Sequence, residues 1–223
     1  MGINYLCRLF FLIAFIFSNV RTNAQPYPFG EQIARFMQQD STSFPKKQQI
    51  LFIGSSTFAL WYDVEGYFPD YPIINRGFGG SALLDLIYYA KDVILPYHPK
   101  QIVIYCGEND FAREESLPAE AVADRFERLF SEIRVHLPDT HIAFVSIKPS
   151  PSRVQYMGKF EVANKLIESF LAEKKNTAFI DIYNAMLNAD GTPEKSIFKE
   201  DNLHMNEKGY QLWQLFIQPY LLK

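Results

Sequence analysis

Ile50-Leu51-Phe52-Ile53-Gly54-Ser55-Ser56 is an unbroken apolar run that stops on a glycine and two serines. A short run of this kind reads as a strand buried on both faces, as in a parallel sheet. The glycine at its end predicts a tight turn. The same pattern returns on the C-terminal side. Pro72-Ile73-Ile74-Asn75 runs into Gly77, Gly79 and Gly80, and Gln101 to Tyr105 runs into Cys106-Gly107. Ile142 to Ile147 leads to Lys148-Pro149, and Ala178-Phe179-Ile180 leads to Asp181. Five strands are expected.

Helical patterns fill the intervals. The clearest spans Pro118 to His136, where Val122, Phe126, Leu129, Phe130 and Ile133 recur at spacings of three and four and form one apolar face. Further helices are expected over about residues 30–39, 154–173 and 206–220. In the last of these, Tyr210, Trp213, Leu215 and Phe216 are packing candidates. Strands that alternate with helices give an α/β fold with a parallel sheet covered on both faces. Ligands of such sheets bind beyond the carboxyl ends of the strands.

The composition fits one globular domain: 223 residues, 48% hydrophobic and 21% charged, with a net charge of -3. No long basic run occurs, so no nucleic-acid partner is expected. Residues 1–24 stand apart. Arg8 precedes the apolar run Leu9 to Phe17, and Thr22-Asn23-Ala24 supplies small residues ahead of a cleavage point. This is the architecture of a signal peptide, so the protein is expected to be secreted or periplasmic, with the domain over residues 25–223. The apolar run is too short to span a bilayer, and no stable membrane span is expected after cleavage. Removal of Arg8 and Arg21 leaves 20 basic against 25 acidic residues, a net charge of -5. Cys106 then remains as the single cysteine, expected to be a buried small hydrophobe.

Chemistry-bearing residues gather at the expected strand ends. The first strand delivers Ser56, the second a glycine cluster, and the third Gly107-Glu108-Asn109-Asp110; Asp201-Asn202-Leu203-His204 follows near the C-terminus. A serine hydroxyl is a poor nucleophile until a histidine takes its proton and a carboxylate orients that histidine. Ser56, His204 and Asp201 supply these three types. Attack on an acyl carbon creates an oxyanion, which needs donors already aimed at it. The Ser56 N–H, a glycine N–H and an asparagine amide could serve.

These blocks resemble those of the SGNH (GDSL-like) hydrolases, named for a Ser, Gly, Asn and His in four motifs. Phe52-Ile53-Gly54-Ser55-Ser56 is similar to the first and puts Ser56 on the nucleophile. Asn75-Arg76-Gly77-Phe78-Gly79-Gly80 is similar to the second, with Gly80 as the oxyanion glycine and Gly79 as the other candidate. Gly107-Glu108-Asn109-Asp110 matches the third and makes Asn109 a side-chain donor. Asp201-Asn202-Leu203-His204 matches the last. The resemblance covers roughly residues 50–215. It implies a flavodoxin-like three-layer α/β/α sandwich with a five-stranded parallel sheet, and an esterase or acylhydrolase without a cofactor. One departure is Ser55, where the family usually has Asp; Ser55 is also a rival nucleophile.

The spacing of the other histidines, His98, His136 and His141, does not suit a metal, and none is expected. Glu108 and Asp110 flank Asn109 and could in principle form a glycosidase pair, although carboxylates so close in sequence more often belong to a turn. Gly54-Ser55-Ser56 also differs from the Gly-x-Ser-x-Gly elbow of α/β-hydrolases. Trp61, Tyr62, Phe111 and Tyr156 follow strand ends and are candidate substrate-binding residues for a sugar. The expected partner is a small-molecule or carbohydrate ester, with an acetylated carbohydrate favoured. A lipid ester, acyl transfer to an alcohol, and a non-catalytic carbohydrate-binding relative are the alternatives.

Overall fold

The computed structural model describes residues 27–223, so the expected signal segment, residues 1–24, lies outside the described residues. In chain order the elements are α1 (Gly30–Thr42), β1 (Ile50–Gly54), α2 (Ser56–Ala59), α3 (Val64–Tyr67), β2 (Ile73–Asn75), α4 (Leu83–Tyr88) and α5 (Ala90–Val93). Then come β3 (Gln101–Tyr105), α6 (Glu108–Arg113), α7 (Ala119–His136), β4 (His141–Val145), α8 (Met157–Ala172), β5 (Thr177–Ile180) and α9 (Glu207–Ile217).

The five strands form one parallel sheet in the order β2-β1-β3-β4-β5. Every residue of β1 and β3 is buried, which is why these strands read as continuous apolar runs. Side chains alternate between the faces. Leu51, Ile53, Ile102, Ile104, Ile142 and Phe144 pack into a core with residues of α1, α4, α5, α7 and α8. Ile50, Phe52, Val103, Tyr105 and Val145 pack on the opposite side with Phe58 of α2, Val64 of α3, and Tyr210, Trp213 and Ile217 of α9. Two cores on two faces make the three-layer α/β/α sandwich.

The strand order also fixes where a site can form. From β1 the chain winds outward to β2, then returns across the sheet to β3 on the other side. The β1/β3 boundary is therefore the topological switch point, where a crevice opens at the carboxyl ends. Ser56 follows β1 there and Asn109 follows β3.

One helix start differs from expectation and another agrees with it. The helix expected from Val154 begins at Met157, because Pro151–Tyr156 forms 3-10 turns in which Arg153 leaves helical geometry (φ -126°, ψ 20°). The Ser152 N–H donates to the Asn202 carbonyl at 3.0 Å, which ties this segment to the turn between Asp201 and His204. At the other end, α9 starts after Asn206, whose side chain accepts from the Gly209 N–H at 3.3 Å and caps it.

Candidate active site

The turn after β1 depends on glycine. Gly54 has φ 151°, and a Cβ there would lie 1.9 Å from the Tyr105 carbonyl oxygen. The Ser55 N–H donates to that same oxygen at 3.0 Å, so β3 holds the residue ahead of Ser56. Ser56 then opens the single turn α2. Two side chains from elsewhere pin this turn. Asn75 at the end of β2 donates to the Phe58 carbonyl at 2.7 Å, and the Tyr210 hydroxyl of α9 donates to the Thr57 carbonyl at 2.9 Å.

His204 arrives from the far end of the chain. Its Nε2 is 3.0 Å from Ser56 Oγ, and its Nδ1 is 2.6 Å from Asp201 Oδ2. Asn202 lies between them at φ 56°, a left-handed conformation that asparagine tolerates better than most residues. That turn folds the Asp201 carboxylate back on its own chain. Oδ1 accepts the backbone N–H groups of Leu203 at 3.0 Å and His204 at 2.9 Å. Burial opposes ionisation of Asp201, but the bonds from the His204 ring and these two N–H groups outweigh it and bring the pKa down to about 2. The arrangement gives a serine oxygen, a base within hydrogen-bond reach of it, and a carboxylate fixed on the base. The His204 and Asp201 side chains remain 26% and 48% exposed, so the site is open to solvent.

On the other side of the crevice stand the donor candidates. The Gly79 N–H is already engaged by Gln32 Oε1 of α1 at 2.9 Å. Among the described residues, the N–H groups of Ser56 and Gly80 have no hydrogen-bond acceptor. Gly80 has φ 83°, a geometry that favours glycine, and its carbonyl is held by Arg113 Nη2 at 2.5 Å. Asn109 Nδ2 donates to the Ser81 carbonyl at 3.0 Å, which orients the amide and leaves its second N–H for another partner. Between the two glycines, Gly80 is thus the one with a donor to offer.

The substrate-binding expectation needs correction. Trp61 is 2% exposed and stacks on Tyr210 with ring centroids 4.8 Å apart. Phe111 is 0% exposed and packs on Phe160 at 5.5 Å. Tyr156 is buried, with its hydroxyl on Glu115 Oε1 at 2.8 Å. These three are core residues; following a strand end in sequence does not turn a ring towards the crevice. Only Tyr62 of the four is exposed, at 84%. The carboxylates flanking Asn109 are also occupied. Glu108 pairs with Lys148 Nζ at 2.8 Å, and Asp110 pairs with Arg125 Nη1 at 2.8 Å while accepting the Leu83 N–H at 3.0 Å. Sequence reasoning missed Gln32, Ser81 and Lys148, because nothing local marks which distant backbone group a polar side chain will meet.

Among the described residues, no group of three or more His, Cys, Asp or Glu is arranged to hold a metal, and no helix is long and apolar enough to cross a membrane. The sequence model of the GDSL-like lipase/acylhydrolase family matches residues 55–212. No curated protein matches the chain. Among solved structures, a protein from Streptococcus pneumonia named for platelet activating factor superposes with a TM-score of 0.75 at 21% identity, covering 86% of this chain and 92% of that one. A GDSL-like lipase from Bacteroides thetaiotaomicron gives 0.71 at 16% identity, covering 84% and 96%. A variant of an acetyl-xylooligosaccharide esterase from Geobacillus Stearmophilus gives 0.62 at 15% identity, covering 80% and 96%. At these identities the likeness is one of fold.

Proposed function

The chain belongs to the family of GDSL-like lipases and acylhydrolases, and from that premise we propose that it hydrolyses oxygen esters through Ser56, His204 and Asp201. His204 Nε2 takes the proton from Ser56 Oγ as that oxygen attacks the acyl carbon. Asp201 keeps the imidazole oriented and stabilises its charged form. The tetrahedral oxyanion accepts from the Ser56 and Gly80 N–H groups and from Asn109 Nδ2. Collapse of the intermediate expels the alcohol, which takes the proton back from His204. Water then attacks the acyl-enzyme by the same route in reverse.

The observation that carries this reading is the 3.0 Å approach of His204 Nε2 to Ser56 Oγ across 148 residues of chain. Ser55, the rival nucleophile, is buried at 3% exposure. The test is hydrolysis of 4-nitrophenyl acetate at about pH 8 by the wild type beside Ser56→Ala. Turnover that disappears in the variant supports the assignment, and equal rates in both would remove Ser56 from it.

The open site also supports a reading of the substrate class. An acyl group that reaches a solvent-exposed triad needs no long apolar tunnel, which favours short acyl chains on a bulky alcohol. An acetylated carbohydrate fits that description. Tyr62, six residues after Ser56, is exposed, and one of the structural neighbours is a variant of an acetyl-xylooligosaccharide esterase. A panel of acetyl and octanoyl esters separates this from a lipid substrate; a strong octanoyl preference would sink it. Residues 1–24 are read as an export signal, so the site would work in a secreted or periplasmic protein.

A further inference from the structure

Beneath Asn109 lies a buried charged cluster that the proposed reaction does not use. Glu108, 4% exposed, is the first residue of α6. Its Oε2 accepts from the Tyr105 hydroxyl at 2.6 Å and from Lys148 Nζ at 2.8 Å. Its Oε1 is buried with no partner among the described residues. Lys148 is 1% exposed and lies beyond the end of β4. Its ammonium sits 5.9 Å from the Tyr105 ring and 5.7 Å from the Phe198 ring. Phe198 pairs with Met205, next to His204.

We infer that Glu108 is a positioning residue for Asn109, locking the oxyanion side of the crevice to the nucleophile side through Tyr105 and Lys148. The inference rests on the serine-esterase reading above. Tyr105 is the bridge. Its backbone carbonyl holds the Ser55 N–H at 3.0 Å, one residue before Ser56, while its side-chain hydroxyl holds Glu108, one residue before Asn109. No side chain caps α6, whose N-cap is Gly107; its first turn is fixed by the Glu108 contacts together with those of Asp110 to Arg125 and the Leu83 N–H. Ser81 then sets the amide of Asn109 from the opposite side at 3.0 Å.

Stability alone does not explain the cluster. A buried ion pair seldom gains over an apolar pair of the same volume, and an unpartnered carboxylate oxygen makes the balance worse. What an ion pair with a fixed hydroxyl partner does supply is a single geometry, and here that geometry sits one peptide away from a proposed oxyanion donor. Misplacing a catalytic group by about 1 Å can cost ~10²-fold in rate.

The test is a double-mutant cycle on 4-nitrophenyl acetate with Glu108→Gln, Asn109→Ala and the two combined. Glu108→Gln is expected to lower kcat by about 10- to 100-fold with KM changed less than about twofold, the signature of a loss felt in the transition state. Asn109→Ala is expected to lower kcat by about 10²–10³-fold. The combined variant should be no slower than Asn109→Ala alone, because Glu108 acts through that amide. A variant holding both Glu108→Gln and Lys148→Met removes both charges together; it guards against misfolding from an unpaired lysine and should show the same loss of kcat. Wild-type kcat in Glu108→Gln or in that neutral pair would overturn the inference. So would losses that multiply in the cycle, since a merely structural defect adds independently. A wild type without turnover, or a fully active Ser56→Ala, would instead overturn the esterase reading on which it rests.

Discussion

Asp201 owes its charge to the hydrogen bonds it accepts. Burial works against the anion, yet the His204 ring and the N–H groups of His204 and Leu203 bring its pKa to about 2 from an ordinary 3.8. A carboxyl lowered in the folded state stabilises the fold fully above the unfolded value of 3.8, and that contribution fades as pH falls towards 2. With the side chain 48% exposed, solvent screening keeps the contribution small. For the proposed catalysis the consequence is larger. With a pKa of about 2, Asp201 stays charged from about pH 8 to pH 4, so any loss of kcat/KM over that range is expected to come from a group other than this carboxylate. Asp201→Asn keeps the shape, removes the charge and disturbs the tautomer of the ring. It is expected to lower kcat by about 10²–10⁴-fold with little change in KM, measured on 4-nitrophenyl acetate. A loss under about threefold would mean that His204 is oriented by something else.

Elements deliver these residues, and the end of β1 is the least forgiving of them. Gly54→Ala would put a Cβ 1.9 Å from the Tyr105 carbonyl oxygen, against backbone that cannot give way without parting β1 from β3. The expected result is loss of more than about 4 kcal/mol, seen as a collapsed Tm or as no soluble protein. Tyr210→Phe is the mild counterpart. It keeps the stack on Trp61 and deletes the bond from α9 to the Thr57 carbonyl. A cost of about 0.5–1.5 kcal/mol in urea unfolding is expected, and no change would mean that α9 does not hold the Ser56 turn. The contrast also explains what the sequence made legible. β1 and β3 are readable because they are buried along their whole length and almost entirely apolar; β1 runs Ile50 to Gly54 as anticipated, and β3 runs Gln101 to Tyr105. The four-residue α2 and α3 are too short to carry a helical period. Trp61 and Phe111 were misjudged as lining the site because position after a strand end says which region a residue enters, not which way its ring turns. The four blocks named the residues that approach one another, but not Gln32 on Gly79 or Ser81 on Asn109, since those contacts exist only once the faces of the sheet are assembled.

At the scale of the molecule, one face of the sheet meets the oxyanion side of the proposed site at Cys106. The residue follows the central strand β3, is 0% exposed, and directs its thiol to the Ser81 carbonyl at 3.6 Å. Burial pushes its pKa well above the ordinary thiol range, so access and thiolate fraction are both suppressed. A preparation beginning at Gln25 carries Cys106 as its single thiol. Exposing it requires separating β3 from the Gly80–Ser81 segment and from the core formed with α4 and α7, which amounts to unfolding most of one face. Native protein at about pH 8 is therefore expected not to react with a disulfide reagent over hours, while urea should expose one thiol per chain along the same curve as the loss of secondary structure. The Ser81 carbonyl that receives this thiol also anchors the Asn109 amide. Fast labelling of native protein would thus reveal an opening within the proposed oxyanion wall itself, and the rigid donor geometry on which the mechanism depends would have to be abandoned for one assembled on substrate binding.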